Sequence, residues 1–206
     1  MPKGFVFPDG IRLAQRDELP GPAPSRAAAW ARIQAAKIEA GFTIVKSTNP
    51  RFSFYTEANV NAPMIWVVFR DLCKALLGSR ASLMMSEIDD DPAPLGSAGT
   101  LQILALLETH GYQLAHDGDI QFGLVREDTN VLTEVFVTPT KHFQVWFNDE
   151  KRLRGVLKVH DVPEMKTLEF IDQYPRTTTP LSRDQVSFTN PREFVEYVGK
   201  QIKLLS

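Results

Sequence analysis

The residues able to do chemistry in this chain are few and scattered. Its four histidines, His110, His116, His142 and His160, match no helical metal-ligand spacing, and no H-E-x-x-H occurs. One local cluster stands out, His116-Asp117-Gly118-Asp119, an imidazole and two carboxylates within four residues. Such a set can hold a divalent cation or serve as general acid and base. The same residues also read as turn chemistry, because Gly accepts positive φ and Asp tolerates it. With no second half elsewhere in the chain, the turn reading carries more weight. A metal-assisted hydrolase would need His142 or Glu134 to join His116, Asp117 and Asp119.

The remaining catalytic signals are missing. No G-x-S-x-G elbow, Gly-rich phosphate loop or G-x-G-x-x-G is present, and the single thiol, Cys73, falls on the apolar side of a predicted helix. Neither a metal nor a cofactor is expected. Asp89-Asp90-Asp91 reads as a solvated loop, and Lys151, Arg152 and Arg154 mix with Asp149 and Glu150 on one polar helix face.

Composition narrows the class. With 206 residues, 43% apolar and 23% charged, the chain is sized for one ordinary globular domain. Twenty-three Lys and Arg against 25 Asp and Glu give a formal charge of −2, which argues against a nucleic-acid partner. The longest apolar run, 64–69, is far short of the ~20 residues that cross a bilayer, so no membrane partner is expected. A lone cysteine and the lack of an N-terminal apolar run point to the cytoplasm.

The elements that must position these residues follow from periodicity. Residues 1–24, rich in Pro and Gly, read as an extended arm leading into a single α+β domain over 25–206. Ser25 is a candidate cap for a helix over 26–40 that stops at Gly41. A weak strand follows at 52–56. Ile65, Phe69, Leu72 and Leu76 recur at helical spacing within 61–78. A strand is expected at 83–88, a loop at 89–97, and a helix over 100–110 that ends before Gly111.

Alternation is clearest at 120–125, 131–138 and 142–147, whose short connections demand an antiparallel meander. Asn148 is the expected cap of a helix reaching residue 159, and 167–171 reads as a further strand. Asn190-Pro191-Arg192-Glu193 resembles a capping box, opening a helix with Phe194, Val198, Ile202 and Leu205 as its stripe. The expected architecture is thus a central, mainly antiparallel sheet, spanning about 119–147 plus 167–171, packed with four to five helices.

Strand register then yields a candidate surface. A three-residue loop at 139–141 would set Thr138 opposite His142, Phe136 opposite Gln144 and Glu134 opposite Trp146. Val135, Val137, Phe143, Val145 and Phe147 then share a uniformly apolar face that must be core. The other face carries Glu134, Phe136, His142, Gln144 and Trp146, aromatic anchors among hydrogen-bonding groups, a mixture suited to recognition. The competing arrangement lays the N-terminal helices across that face. The leading expectation is a non-catalytic, cytoplasmic binding protein with a protein partner, such as an inhibitor or toxin-neutralising, immunity-like protein. The hydrolase is one alternative, and a small-molecule sensor with a pocket around Trp66, Trp146 and Tyr112 is another.

Overall fold

In the computed structural model, residues 4–205 are described. The first three residues of the expected arm, and Ser206, lie outside them. Nine strands form two sheets: β1 Ile11–Leu13, β2 Gly41–Lys46, β3 Phe54–Asn59, β4 Arg80–Glu87, β5 Ala93–Gly99, β6 Ile120–Glu127, β7 Leu132–Val137, β8 Phe143–Phe147 and β9 Arg176–Thr178. β1 pairs with β9, and the other seven make one antiparallel sheet in the order β2-β3-β8-β7-β6-β4-β5. Six α-helices accompany them: α1 Ala23–Ala35, α2 Ile65–Leu76, α3 Thr100–Glu108, α4 Gly111–His116, α5 Glu150–Val159 and α6 Pro191–Lys203. The chain is α+β, as its patterning requires.

The core lies on one side of the large sheet. Ile65, Phe69, Leu72 and Cys73 of α2 are buried there, and Phe69 meets Phe122 of β6 edge to face at 4.8 Å between centroids. Leu153 and Leu157 of α5, the Leu104 face of α3, and Phe194, Val198 and Ile202 of α6 join the same cluster. Asn190 caps α6 by accepting from the backbone N–H groups of Arg192 and Glu193 at 3.0 and 3.4 Å. A second, smaller cluster joins Ile33 of α1 to Ala14 and Leu19 of the arm, with Tyr174 alongside. The arm is therefore bound, with Ile11 only 3% exposed.

Several sequence expectations need correction. The first helix runs from Ala23 to Ala35, not over 26–40, and Gly41 begins β2 instead of ending a helix. A Cβ at Gly41 would meet Met165 Cγ at 2.5 Å, so close approach, not helix termination, explains that glycine. Gly111 likewise opens α4, because a Cβ there would lie 2.7 Å from the Trp66 ring. The Pro-rich part of the expected 89–97 loop forms β5, which survives Pro94 because it is an edge strand. Asp149, not Asn148, caps α5; the Asn148 side chain accepts from Ser53 N instead.

The expected strand at 167–171 does not form. Residues 163–165 run along the outer edge of β2, where Phe42 N donates to Pro163 O at 2.9 Å and Met165 N to Phe42 O at 2.8 Å. The chain then crosses onto the sheet face, where Asn59 Nδ2 donates to Glu169 O at 2.8 Å and Phe170 packs on His142. Beyond this crossing it next joins a ladder at β9, which pairs with β1.

Candidate functional site: the open face of the sheet

The meander adopts the register read from its alternation. Glu134 pairs with Trp146 and Phe136 with Gln144, while Thr138 N donates to His142 O at 3.0 Å. Val135, Val137, Phe143, Val145 and Phe147 all point into the core. While α2 to α6 bury their apolar stripes on that side, the opposite face is crossed near His142 by residues 169–170, on whose continuation at Tyr174 α1 packs, and it stays half-exposed around Trp146 and Tyr55.

On this open face Trp146 lies 5.1 Å from Tyr55 of β3, the two rings tilted by 43° and both half-buried. Burial and the neighbouring Glu57 raise the pKa of the Tyr55 hydroxyl, which also contacts Gln144. Across the sheet from Trp146, Glu134 is half-buried and makes no ion pair among the described residues. Burial, aided by the charge of Glu127, raises its pKa. Val45 on β2 extends the surface and is well exposed. Two aromatic rings thus sit beside two carboxylates, Glu57 and Glu134, a combination that attracts a cationic group over the ring faces.

The other residues of the sequence-derived surface are placed differently. Phe136 is 7% exposed. Its ring lies over Gly123, where a Cβ would come within 2.6 Å of Phe136 Cδ2, so it offers a partner little surface. His142 is buried against Phe170 at 4.7 Å, its Nδ1 within 3.0 and 3.1 Å of the Thr138 and Thr140 hydroxyls, and burial lowers its pKa. Sequence reading missed Tyr55, whose strand pairs with a partner about ninety residues away.

The His116 cluster ties segments together. His116 Nδ1 accepts from Asp9 N at 3.0 Å, which leaves the neutral ring's proton on Nε2. Tyr112 stacks on the imidazole at 4.2 Å and donates its hydroxyl to Asp9. Burial lowers the His116 pKa. Asp117 accepts from Asp119 N at 3.0 Å, the signature of an Asx turn, and from Gln113 Nε2 at 3.3 Å. Burial raises the Asp119 pKa. Among the described residues no group of three or more His, Cys, Asp or Glu could hold a metal ion. Turn and tether chemistry accounts for this cluster.

Beside it lies a residue that sequence reading passed over. Lys141, 2% exposed, occupies the left-handed region at φ 62° in the β7–β8 loop. Its Nζ donates to Ile120 O at 2.6 Å and sits 5.6 Å from the centre of the Phe122 ring. Burial lowers its pKa to about 7, opposed by the charges of Asp117 and Asp119. The available signal was a three-residue hairpin loop lacking the Gly or Asn that its left-handed position favours.

The pocket expected around Trp66, Trp146 and Tyr112 does not assemble. Trp66 belongs to the core beside Phe69, Trp146 to the open face and Tyr112 to the His116 stack. Cys73 is fully buried, which pushes its thiol pKa well up and leaves it unsuited to nucleophilic work. No helix of the described residues is long and apolar enough to cross a membrane. Compared with known proteins, the chain matches no family model, no curated protein and no solved structure.

Proposed function

We propose that this chain is a non-catalytic binding protein whose open sheet face receives a protein partner bearing an exposed arginine or lysine. The observation that carries this reading is the half-exposed Tyr55–Trp146 pair beside the unpaired Glu134. Aromatic rings supply contact area at low entropic cost, and an incoming guanidinium or ammonium would satisfy a carboxylate that no described residue pairs. An inhibitory or neutralising role fits such a surface, since covering a basic functional patch on another protein blocks it. The buried free thiol of Cys73 supports a reducing, cytoplasmic setting.

The test compares partner capture by the parent protein with capture by Trp146→Ala, Glu134→Gln and, as a control on the helical side, Lys151→Ala. A partner bound by the parent and the control, but weakened at least about tenfold by either face variant, supports the reading. Full affinity in Trp146→Ala, with the fold intact by near-UV circular dichroism, overturns it.

A further inference from the structure

Where β4, β5 and β6 meet the end of α2, the structure contains a cleft of about 410 Å³ that the proposed partner contact does not use. Arg80 and Arg126 both line it, together with the hydroxyls of Ser82 and Ser97, which lie 2.6 Å apart. Arg80 forms no ion pair among the described residues; its Nη2 donates only to Ser97 O at 3.3 Å. Arg126 extends over Gly78, where a Cβ would lie 3.3 Å from Nη1, and Gly78 itself adopts φ 75°. A glycine there both makes the turn and gives the guanidinium room.

The acidic groups at the rim are already committed. Glu127 is held by Arg51 at 2.7 Å. Asp128 accepts from Asn130 N and Val131 N at 3.1 and 3.0 Å, and its contact with Arg126 is loose at 3.7 Å. The lining thus carries two arginines and two carboxylates, and Arg51, from outside it, neutralises Glu127, which leaves Arg80 without an ion-pair partner among the described residues.

We propose that this cleft binds a phosphate monoester, with Arg80 and Arg126 donating to its terminal oxygens and the Ser82–Ser97 hydroxyl pair adding a neutral donor. Three terminal oxygens and up to two negative charges match two guanidinia, each able to donate in a fork. The volume lies within the ~300–1,000 Å³ range of small-ligand sites, so room remains for the group carrying the phosphate. A free sugar phosphate and a phosphorylated side chain share this chemistry.

The test titrates inorganic phosphate, glucose 6-phosphate and a phosphoserine peptide into the isotope-labelled full chain and follows backbone amide shifts. Saturable shifts confined to residues 78–82, 97 and 125–128 are expected. Arg80→Ala and Arg126→Ala should each weaken binding about tenfold or more, while Trp146→Ala leaves it unchanged. Tighter binding of the sugar phosphate than of the peptide assigns a free metabolite, and the reverse order a phosphorylated segment. Absence of saturation with all three probes, or affinity retained in the Arg80→Ala and Arg126→Ala variants, overturns the proposal. Both arginines are exposed, so the variants keep the fold and either result is decisive.

Discussion

Lys141 Nζ donates to the carbonyl of Ile120 at 2.6 Å, tying the tip of the β7–β8 hairpin to the first residue of β6. The ammonium enters an environment that supplies a single backbone acceptor, the face of Phe122 and the more distant charges of Asp117 and Asp119.

This burial predicts a pH-dependent stability. The folded-state pKa of about 7 lies below the ordinary lysine value of 10.5, so between these limits the unfolded chain binds the extra proton. Stability must therefore rise with pH above about 7, with a slope of at most ~1.4 kcal/mol per pH unit. Urea midpoints between about pH 7.5 and 8.5, compared between the parent and Lys141→Met, isolate the effect. Within this interval the buried histidines are neutral in both states, and the Cys73 thiol, which ionises near its ordinary range only in the unfolded chain, contributes alike to both proteins. Lys141→Met should flatten the slope. A parent-like slope in that variant would remove Lys141 as its source.

Glu134 titrates with the opposite sign. Its carboxyl pKa is raised in the folded state, so its stabilising contribution is present at acid pH and lost as pH climbs through that raised value. Glu134→Gln should leave the fold intact and raise the unfolding free energy from urea titration at pH 7 by less than about 1 kcal/mol. The same change should weaken the proposed partner contact at least about tenfold, separating stability from recognition. A lower midpoint would mean that the carboxylate has a partner contributing to the fold.

Phe136 and Gly123 form a ring-on-glycine contact across β6 and β7. The Cβ added by Gly123→Ala would lie 2.6 Å from Phe136 Cδ2 and 2.8 Å from Val135 O. Displacing the ring or parting the strands should cost roughly 1–3 kcal/mol in denaturant unfolding. A neutral result would show that the ring swings aside without loss.

The arm is anchored through Gly10, whose N–H donates to His116 O at 3.1 Å and whose carbonyl accepts from Thr179 N at 2.8 Å. A methyl group on Gly10 would collide with the His116 carbonyl. Gly10→Ala should release the arm, so limited proteolysis should cut within residues 4–24 several-fold faster, with a lower Tm. Unchanged cleavage would mean that β1 and the Leu19 contacts hold the arm unaided.

Legibility in the sequence tracked how local the determining contacts were. Residues 131–147 alternate strictly, and one short loop links their strands, so the Glu134–Trp146 register could be derived from neighbours alone. The helix of Phe194, Val198 and Ile202 was equally plain, because its cap and stripe are contiguous. β5 was not, since Pro94 breaks every local strand signal and is tolerated only by an edge that long-range pairing defines. Tyr55 escaped for the same reason, its partner Trp146 being supplied by a distant strand. The burial of Lys141 depends on β6 and on the turn at Asp117, and no pattern in 139–141 announces it.

The borders of the seven-stranded sheet also govern how another molecule can approach. On one side Phe42 has already spent its outward amide and carbonyl on Pro163 and Met165; on the other, Pro94 has no amide hydrogen to offer. The ladder is thus blunted at Phe42 on one border and at Pro94 on the other. The proposed partner contact, at Trp146 and Tyr55, lies broadside and avoids both borders.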